Sequence, residues 1–351
     1  HSITVVDRRD RFTIGAAKLW HVVGLRPLER SSRSLERLRD KGIGFVHGDI
    51  VAIDPEKRTV QTTEGELGAD FVVVALGAAF DPRQVEMLNP PAYNLYDPVA
   101  ITDIAKALES LTEGRIVIEV MGVPYKCPPA PYEASLLIHD MLERNGTRKE
   151  IEIDVYAPAP IALPVAGPEV SREVVAIIER HGIHFHASHK LKTVSDTLEF
   201  ENGAVQNYDV LVGIPQHRVP DVIKSSGLAA GDWMAVDRKT LRTNFENVFA
   251  VGDVTEIKVG QLAIPKAGIF AEAQAKVVAQ QIADEINNRS PSAAFDGKGF
   301  CFMETGNGQA GYVDADFFAD PAPVVRLEPA SQQNYEKKHD FERTRVRQWL
   351  L

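Results

Sequence analysis

The chain is 351 residues long, with 44% hydrophobic and 25% charged residues, the balance of a water-soluble globular protein with room for two or three domains, each with its own core. Its 39 Lys and Arg against 49 Asp and Glu give a formal charge of −10, which offers no basic field to phosphates and argues against nucleic-acid binding. Two cysteines cannot staple a chain of this size, and no apolar run approaches the roughly 18–20 residues a membrane-crossing helix needs.

The stretch "SITVVD" (2–7) is rich in β-branched residues and is predicted as a strand ending on Asp7. An acid at the end of the second strand of a dinucleotide-binding unit receives the adenosine ribose hydroxyls. The Gly-x-Gly-x-x-Gly loop that should lie about 20 residues earlier is absent. With no initiator Met either, the sequence reads as one from which the natural start is missing. A helix is predicted over 27–42, closed by Gly42. Short strands with turns at "DPEK" and "TEGE" lead to a buried strand at "DFVVVALG" (70–77).

A second α/β block follows, with a helix over 97–111, the strand "RIVIEV" (115–120), a helix over 131–144 and a strand over 151–158. Next come a helix over 167–182, a hairpin over 192–215 turning at Asn202-Gly203, and the buried strand of "NVFAVGDVTEIK" (247–258). A long helix starts near Gly268. Beyond 291 the chain is mixed strand and loop, with a charged helical tail, "YEKKHDFERTRVRQWLL". His181, His184, His186 and His189 read as strand-edge histidines, and no metal site is assigned.

Three places carry chemistry. The strands "VVVALGA" (72–78) and "VFAVGDV" (248–254) break at Ala75 and Gly77 and at Gly252, so backbone can approach a ligand there. Asp253 is presented at a strand's carboxyl end, where α/β folds bind ligands, and the helix from Gly268 aims its positive end at the same edge. In "MGVPYKCPPAPYEASLLIHDML" (121–142), Cys127 stands between Lys126 and two prolines where a phosphate loop would lie. The prolines remove N–H donors, which argues against an NAD(P)H pyrophosphate. Lys126 reads first as an ordinary surface lysine.

Together "PYKCPPAPYE" (124–133), "NVFAVGDV" (247–254), "IPKAG" (264–268) and "GFCFME" (299–304) resemble the two-dinucleotide-domain flavoproteins of the pyridine nucleotide-disulfide oxidoreductase superfamily. Within it they look most like the sulfide:quinone oxidoreductase and flavocytochrome c sulfide dehydrogenase branch, over essentially the whole chain. The resemblance implies an α/β fold of two Rossmann-like, three-layer ββα domains plus a C-terminal segment. Residues 1–85 and 233–290 would form a discontinuous FAD-binding domain without its first glycine loop. Residues 86–232 would form a degenerate NAD domain, and 291–351 a redox and interface segment.

It further implies that Asp7, Ala75, Gly77, Gly252, Asp253, Lys266 and Gly268 hold FAD. Cys127 and Cys301 become a redox-active pair attacked by sulfide or a small thiol, with Cys301 nearer the flavin and Glu133 moving protons. Electrons would pass to a quinone or a cytochrome, with Phe300, Phe302, Tyr312, Phe317 and Phe318 as candidates to line a quinone pocket. The tail would supply peripheral membrane contact, and the protein would form a homodimer; no compartment is assigned. The third cysteine common in sulfide:quinone members is missing, which leans toward the two-cysteine branch. The alternatives are an NAD(P)H:quinone reductase and a flavin-free binding protein.

Overall fold

Val5 and Val6 lie in β1 (Thr4–Asp7), which ends on the predicted Asp7; residues 1–350 are described by this computed structural model. After β1 comes α1 (Ala16–Val22), unforeseen in the sequence, which buries Ala17, Leu19, Trp20 and Val22. The helix predicted over 27–42 is instead two 3-10 turns, Leu28–Ser31 and Leu35–Lys41, split by a strand at Ser32–Ser34. The serines explain the break. Ser34 accepts a hydrogen bond from the Glu36 N–H at 3.3 Å, and Ser32–Ser34 pairs with Arg11–Thr13. Such local side-chain bonding competes with a helix interior. Gly42 does end the segment, at φ +75°.

β2 (Gly44–His47) pairs in parallel with β1. An antiparallel meander over 50–68 leads to β3 (Val72–Val74), which pairs in parallel with residues 248–250.

The second block runs β4 (Ala92–Asn94), α2 (Ala100–Ser110), β5 (Gly114–Val120), α3 (Ala130–Asn145), β6 (Ile151–Tyr156), α4 (Gly167–Arg180), β7 (Ile183–His186) and β8 (Val210–Ile214). The strands form one parallel sheet in the order β4-β8-β5-β6-β7. Ile116, Ile118, Ile153, Val155, Val212 and Ile214 are fully buried, as near-continuous apolar strands are when a parallel sheet is covered on both faces. Fully burying each such side chain is worth about 1.5–3 kcal/mol. The predicted hairpin turns at Asn202-Gly203, but its antiparallel sheet stops at Asn207, and β8 joins the parallel sheet instead.

β9 (Val248–Ala250) is the parallel partner of β3, and α5 (Gly268–Ile286) follows it. The C-terminal segment is an antiparallel sheet of β10 (Lys298–Gly306), β11 (Gln309–Asp316) and β12 (Val324–Ser331), closed by α6 (Gln332–Leu350). α3 packs on β10, and this contact brings the two cysteine segments together.

Candidate active site

Cys127 lies in the loop before α3 with φ +53°, a left-handed conformation that is uncommon for a side-chain-bearing residue. Two hydrogen bonds hold it. Its N–H donates to the Lys266 carbonyl at 2.7 Å, and its own carbonyl accepts from the Ala130 N–H at 2.8 Å. Cys301 sits on β10 between Phe300 and Phe302, whose side chains point to the opposite face because strand side chains alternate.

The two cysteines are free, half-buried thiols that shift each other's pKa. Cys301, followed by burial, holds the Cys127 thiol well above its ordinary range. Cys127 lowers Cys301 against the opposing effect of burial, and the Cys301 thiol also donates to the Phe302 carbonyl at 3.5 Å.

Glu133, in the first turn of α3, is buried beside the sulfurs. Burial raises its pKa, and Lys338 from α6 opposes the rise. The Lys338 ammonium donates to Glu133 Oε1 and lies 2.7 Å from Glu304 Oε1 on β10. The Trp20 indole donates to the same Glu304 oxygen at 2.6 Å, and the Glu304 N–H donates to Glu133 Oε1 at 3.3 Å. Both charges on Cys127 and Cys301 are felt from this group: Glu133 raises the two thiols and Lys338 lowers them. Lys338, Glu304 and Trp20 were not singled out in the sequence. Only Glu304 lies inside a quoted motif, and nothing in the charged tail distinguishes Lys338 from its neighbours.

Lys126 is mostly buried rather than a free surface lysine, and burial lowers its pKa. Its ammonium lies 5.1 Å from the Tyr96 ring centre, and its carbonyl accepts from the Tyr96 hydroxyl at 2.5 Å.

The remaining predicted residues line the carboxyl ends of the β1–β2 and β3–β9 ladders. Asp7 accepts from the Arg9 N–H at 2.9 Å and pairs with its guanidinium at 3.1 Å. Ala75 is exposed just beyond β3, and Gly77 has φ +66°. Gly252 has φ +76°, and a Cβ there would lie 3.0 Å from that of Ala271, so glycine lets the end of β9 approach α5 closely. Its N–H donates to Gln274 Oε1 at 2.6 Å. Lys266 donates to the carbonyls of Asp253 at 2.8 Å and Thr255 at 3.1 Å, and burial lowers its pKa to about 8. Gly268 opens α5, whose N-terminus has no side-chain cap.

These residues suit FAD. The Asp253 carboxylate buries an oxygen, Oδ1, that has no hydrogen-bond partner. The uncapped end of α5 presents N–H groups and partial positive charge. Lys18 is lowered to about 8 by burial, then by Lys126 and Arg9, a repulsion that an anionic ligand would relieve.

The aromatic candidates divide. Phe300 packs with Phe302, Tyr312 and Phe341, whereas Phe317 and Phe318 contact Phe270 and Phe295 in a separate cluster. In the tail, Trp349 meets Phe12 at 5.8 Å and Leu350 is buried with Leu35 and Phe45. Among the described residues, no helix is long and apolar enough to cross a membrane. His186 bonds Asp154 at 2.7 Å, and His181 stands edge-on to His139.

Two short parallel ladders, one of them ending in glycines of positive φ, beside a second parallel α/β unit define the fold. This is the fold of the FAD-binding pyridine nucleotide-disulphide oxidoreductases, and the family model of that description matches residues 104–277. Among proteins of that fold the chain is similar to sulfide:quinone reductases. It is 25% identical to the sulfide-quinone reductase of Aquifex aeolicus over 91% of this chain and 77% of that protein. With the mitochondrial sulfide:quinone oxidoreductase of Schizosaccharomyces pombe the identity is 24%, over 82% of this chain and 65% of that one. The solved structure of the Aquifex aeolicus sulfide:quinone oxidoreductase superposes with a TM-score of 0.85 at 24% identity, covering 98% of this chain and 84% of that chain.

Proposed function

We propose that the chain is an FAD-dependent oxidoreductase that takes electrons from sulfide or a small thiol through Cys127 and Cys301 and delivers them to a quinone. The observation that carries this reading is the meeting of the two half-buried cysteines, brought from a loop and a distant strand to one point beside the buried Glu133. The kinship with sulfide:quinone reductases supports the choice of donor and acceptor. We assign residues 1–85 and 233–290 to the FAD-binding domain, 86–232 to the second Rossmann-like domain and 291–351 to the redox and interface segment.

In the oxidised enzyme the pair is a disulfide. The donor thiolate attacks Cys127, and Cys301 leaves with the bonding electron pair, because the thiol of lower pKa is the better leaving group. Glu133 takes the donor's proton. Bound FAD would supply the two-electron acceptor chemistry that links Cys301 to the quinone. Asp253, Gly252, Lys266 and the N-terminus of α5 would orient and hold it, with Asp7 on the ribose. Phe300 and Phe341, edge-to-face at 5.7 Å, together with Phe302 and Tyr312, form the apolar wall for a quinone ring.

The test is anaerobic addition of sulfide to the FAD-loaded protein. The flavin absorbance should bleach, and Cys127→Ser and Cys301→Ser should each slow bleaching about 100-fold or more. Wild-type rates in either variant would overturn the reading.

A further inference from the structure

A lysine from the last helix reaches the cysteine pocket, and surface charge cannot explain its position. Lys338 is 3% exposed, in contact with Glu133 at 4% and Glu304 at 2%. Its ammonium has both carboxylates as partners at once. Glu304 is fixed from the other side by the Trp20 indole. The group joins α1, α3, β10 and α6, so its geometry is set by four elements rather than by one flexible side chain. Two buried carboxyl groups share one ammonium beside Cys127 and Cys301. Buried charge is costly unless it is paired in this way.

We propose that Lys338 is a positioning residue for the cysteine chemistry: it keeps Glu133 ionised as the proton acceptor and stays behind as the cation facing the released thiolate. This deepens the reading that Cys127 and Cys301 react with a thiol donor, and it rests on that reading. The donor R–SH gives its proton to the Glu133 carboxylate. The resulting R–S⁻ forms a sulfur–sulfur bond to Cys127, the Cys127–Cys301 bond breaks, and Cys301 takes the electron pair as a thiolate. Glu133 has become neutral and Cys301 negative, so one negative charge moves from oxygen to sulfur while the pocket's total is unchanged. Lys338 keeps its charge throughout. No ion has to cross from solvent in this step, which matters because Glu133 is buried.

Around this centre, the loop before α3 contributes Tyr125 and Lys126 beside Cys127. β10 contributes Glu304 and Cys301, and α6 contributes Lys338, His339 and Tyr335. α1 contributes the neutral Trp20 indole, with Arg26 just beyond it. Burial lowers the pKa of His339, so that ring is neutral at physiological pH, and Lys338 is a cation that acts on both sulfurs.

The experiment compares wild type, Lys338→Met and Lys338→Arg as FAD-loaded full-length proteins. Each is reduced, and the alkylation of Cys301 by iodoacetamide is followed by peptide mass spectrometry from pH 5 to 10. Lys338→Met should slow alkylation at pH 7 about tenfold, moving the acid limb up by roughly one pH unit, whereas Lys338→Arg should stay within about threefold of wild type. The acid limb of thiol-driven flavin reduction should move in the same direction. A folded Lys338→Met protein, by near-ultraviolet circular dichroism, with an unchanged alkylation profile would overturn the proposal. If Lys338→Met does not fold, Glu133→Gln decides. It should speed Cys301 alkylation at pH 7 by removing the neighbouring negative charge, yet slow thiol-driven reduction by about 100-fold; no change in both would overturn the proposal. Failure of the underlying reading looks different, because sulfide would then bleach the flavin in Cys127→Ser and Cys301→Ser as in wild type.

Discussion

The Trp20 indole N–H donates to Glu304 Oε1 at 2.6 Å, tying α1 near the start of the chain to β10 near its end. The ring also stacks on His339 at 4.4 Å and lies under the Arg26 guanidinium at 4.0 Å. Trp20→Phe keeps an aromatic face for both neighbours and removes only the donor. We expect a loss of about 1.5–3 kcal/mol, the range for a hydrogen bond to a charged group. Urea unfolding should show a lower midpoint with an unchanged slope; an unchanged midpoint would mean that Lys338 alone satisfies that oxygen.

In reduced protein the Cys301 pKa is lowered first by the neighbouring Cys127 thiol. Cys127→Ala removes that neighbour, so the Cys301 pKa should rise and its alkylation at pH 7 should slow about tenfold. The linkage has a definite sign. A depressed thiol pKa adds stability that is fully present above the unfolded-state value and lost as pH falls through the folded-state value. Reduced wild type should therefore lose this increment on acidification through the Cys301 pKa, and Cys127→Ala should lose less. Parallel stability curves for the two proteins would count against the pairing.

Glu119 on β5 is fully buried, and neither carboxylate oxygen has a hydrogen-bond partner. Burial raises its pKa well above the usual range, so the folded chain holds a proton there that the unfolded chain gives up. Stability should fall with rising pH from the ordinary Glu value near 4.3 up to the folded-state value, by as much as about 1.4 kcal/mol per pH unit from this group. Glu119→Gln should flatten that slope and be the more stable protein at pH 8. Urea titrations from pH 4 to 8 would measure it, and equal slopes in both proteins would refute it.

Asp253 and Lys266 frame the proposed flavin site, and the unpartnered Asp253 oxygen is the group most in need of a ligand. Asp253→Ala should weaken FAD binding about tenfold or more, the effect of losing a buried acceptor in a binding site. Lys266→Met should act in the same direction, because the Lys266 ammonium steadies the Asp253 carbonyl. Recovery of free-flavin fluorescence on dilution gives the affinity directly. Wild-type affinity in both variants would move the cofactor away from this edge.

In the second block β5 and β6 were legible as strands from their β-branched residues, whereas β8 was read as the end of a hairpin, and α3 and α4 have the length and glycine punctuation of helices. The cysteine loop was legible because its prolines and thiol displace glycines from a place where they are expected. What stayed hidden depended on partners distant in sequence. Ser32 to Ser34 broke a helix by pairing with Arg11–Thr13, which a local pattern does not contain. α1 is only seven residues long and is stabilised by what it buries. Lys338 sits among Lys337, Arg343, Arg345 and Arg347, and only the folded chain selects it from that run.

The buried side of α6 reads Asn334, Lys338, Glu342, Val346 and Leu350, one residue in every four. Glu342 meets Arg26 at 3.3 Å while Lys338 meets Glu133 and Glu304. A uniformly apolar stripe would let such a helix slide by a turn at little cost. Here a slide in one direction would set Glu342 against two carboxylates, and a slide in the other would leave those carboxylates facing the neutral amide of Asn334. The alternation of sign along the stripe works as a vernier, and the final helix has one setting on the body of the protein.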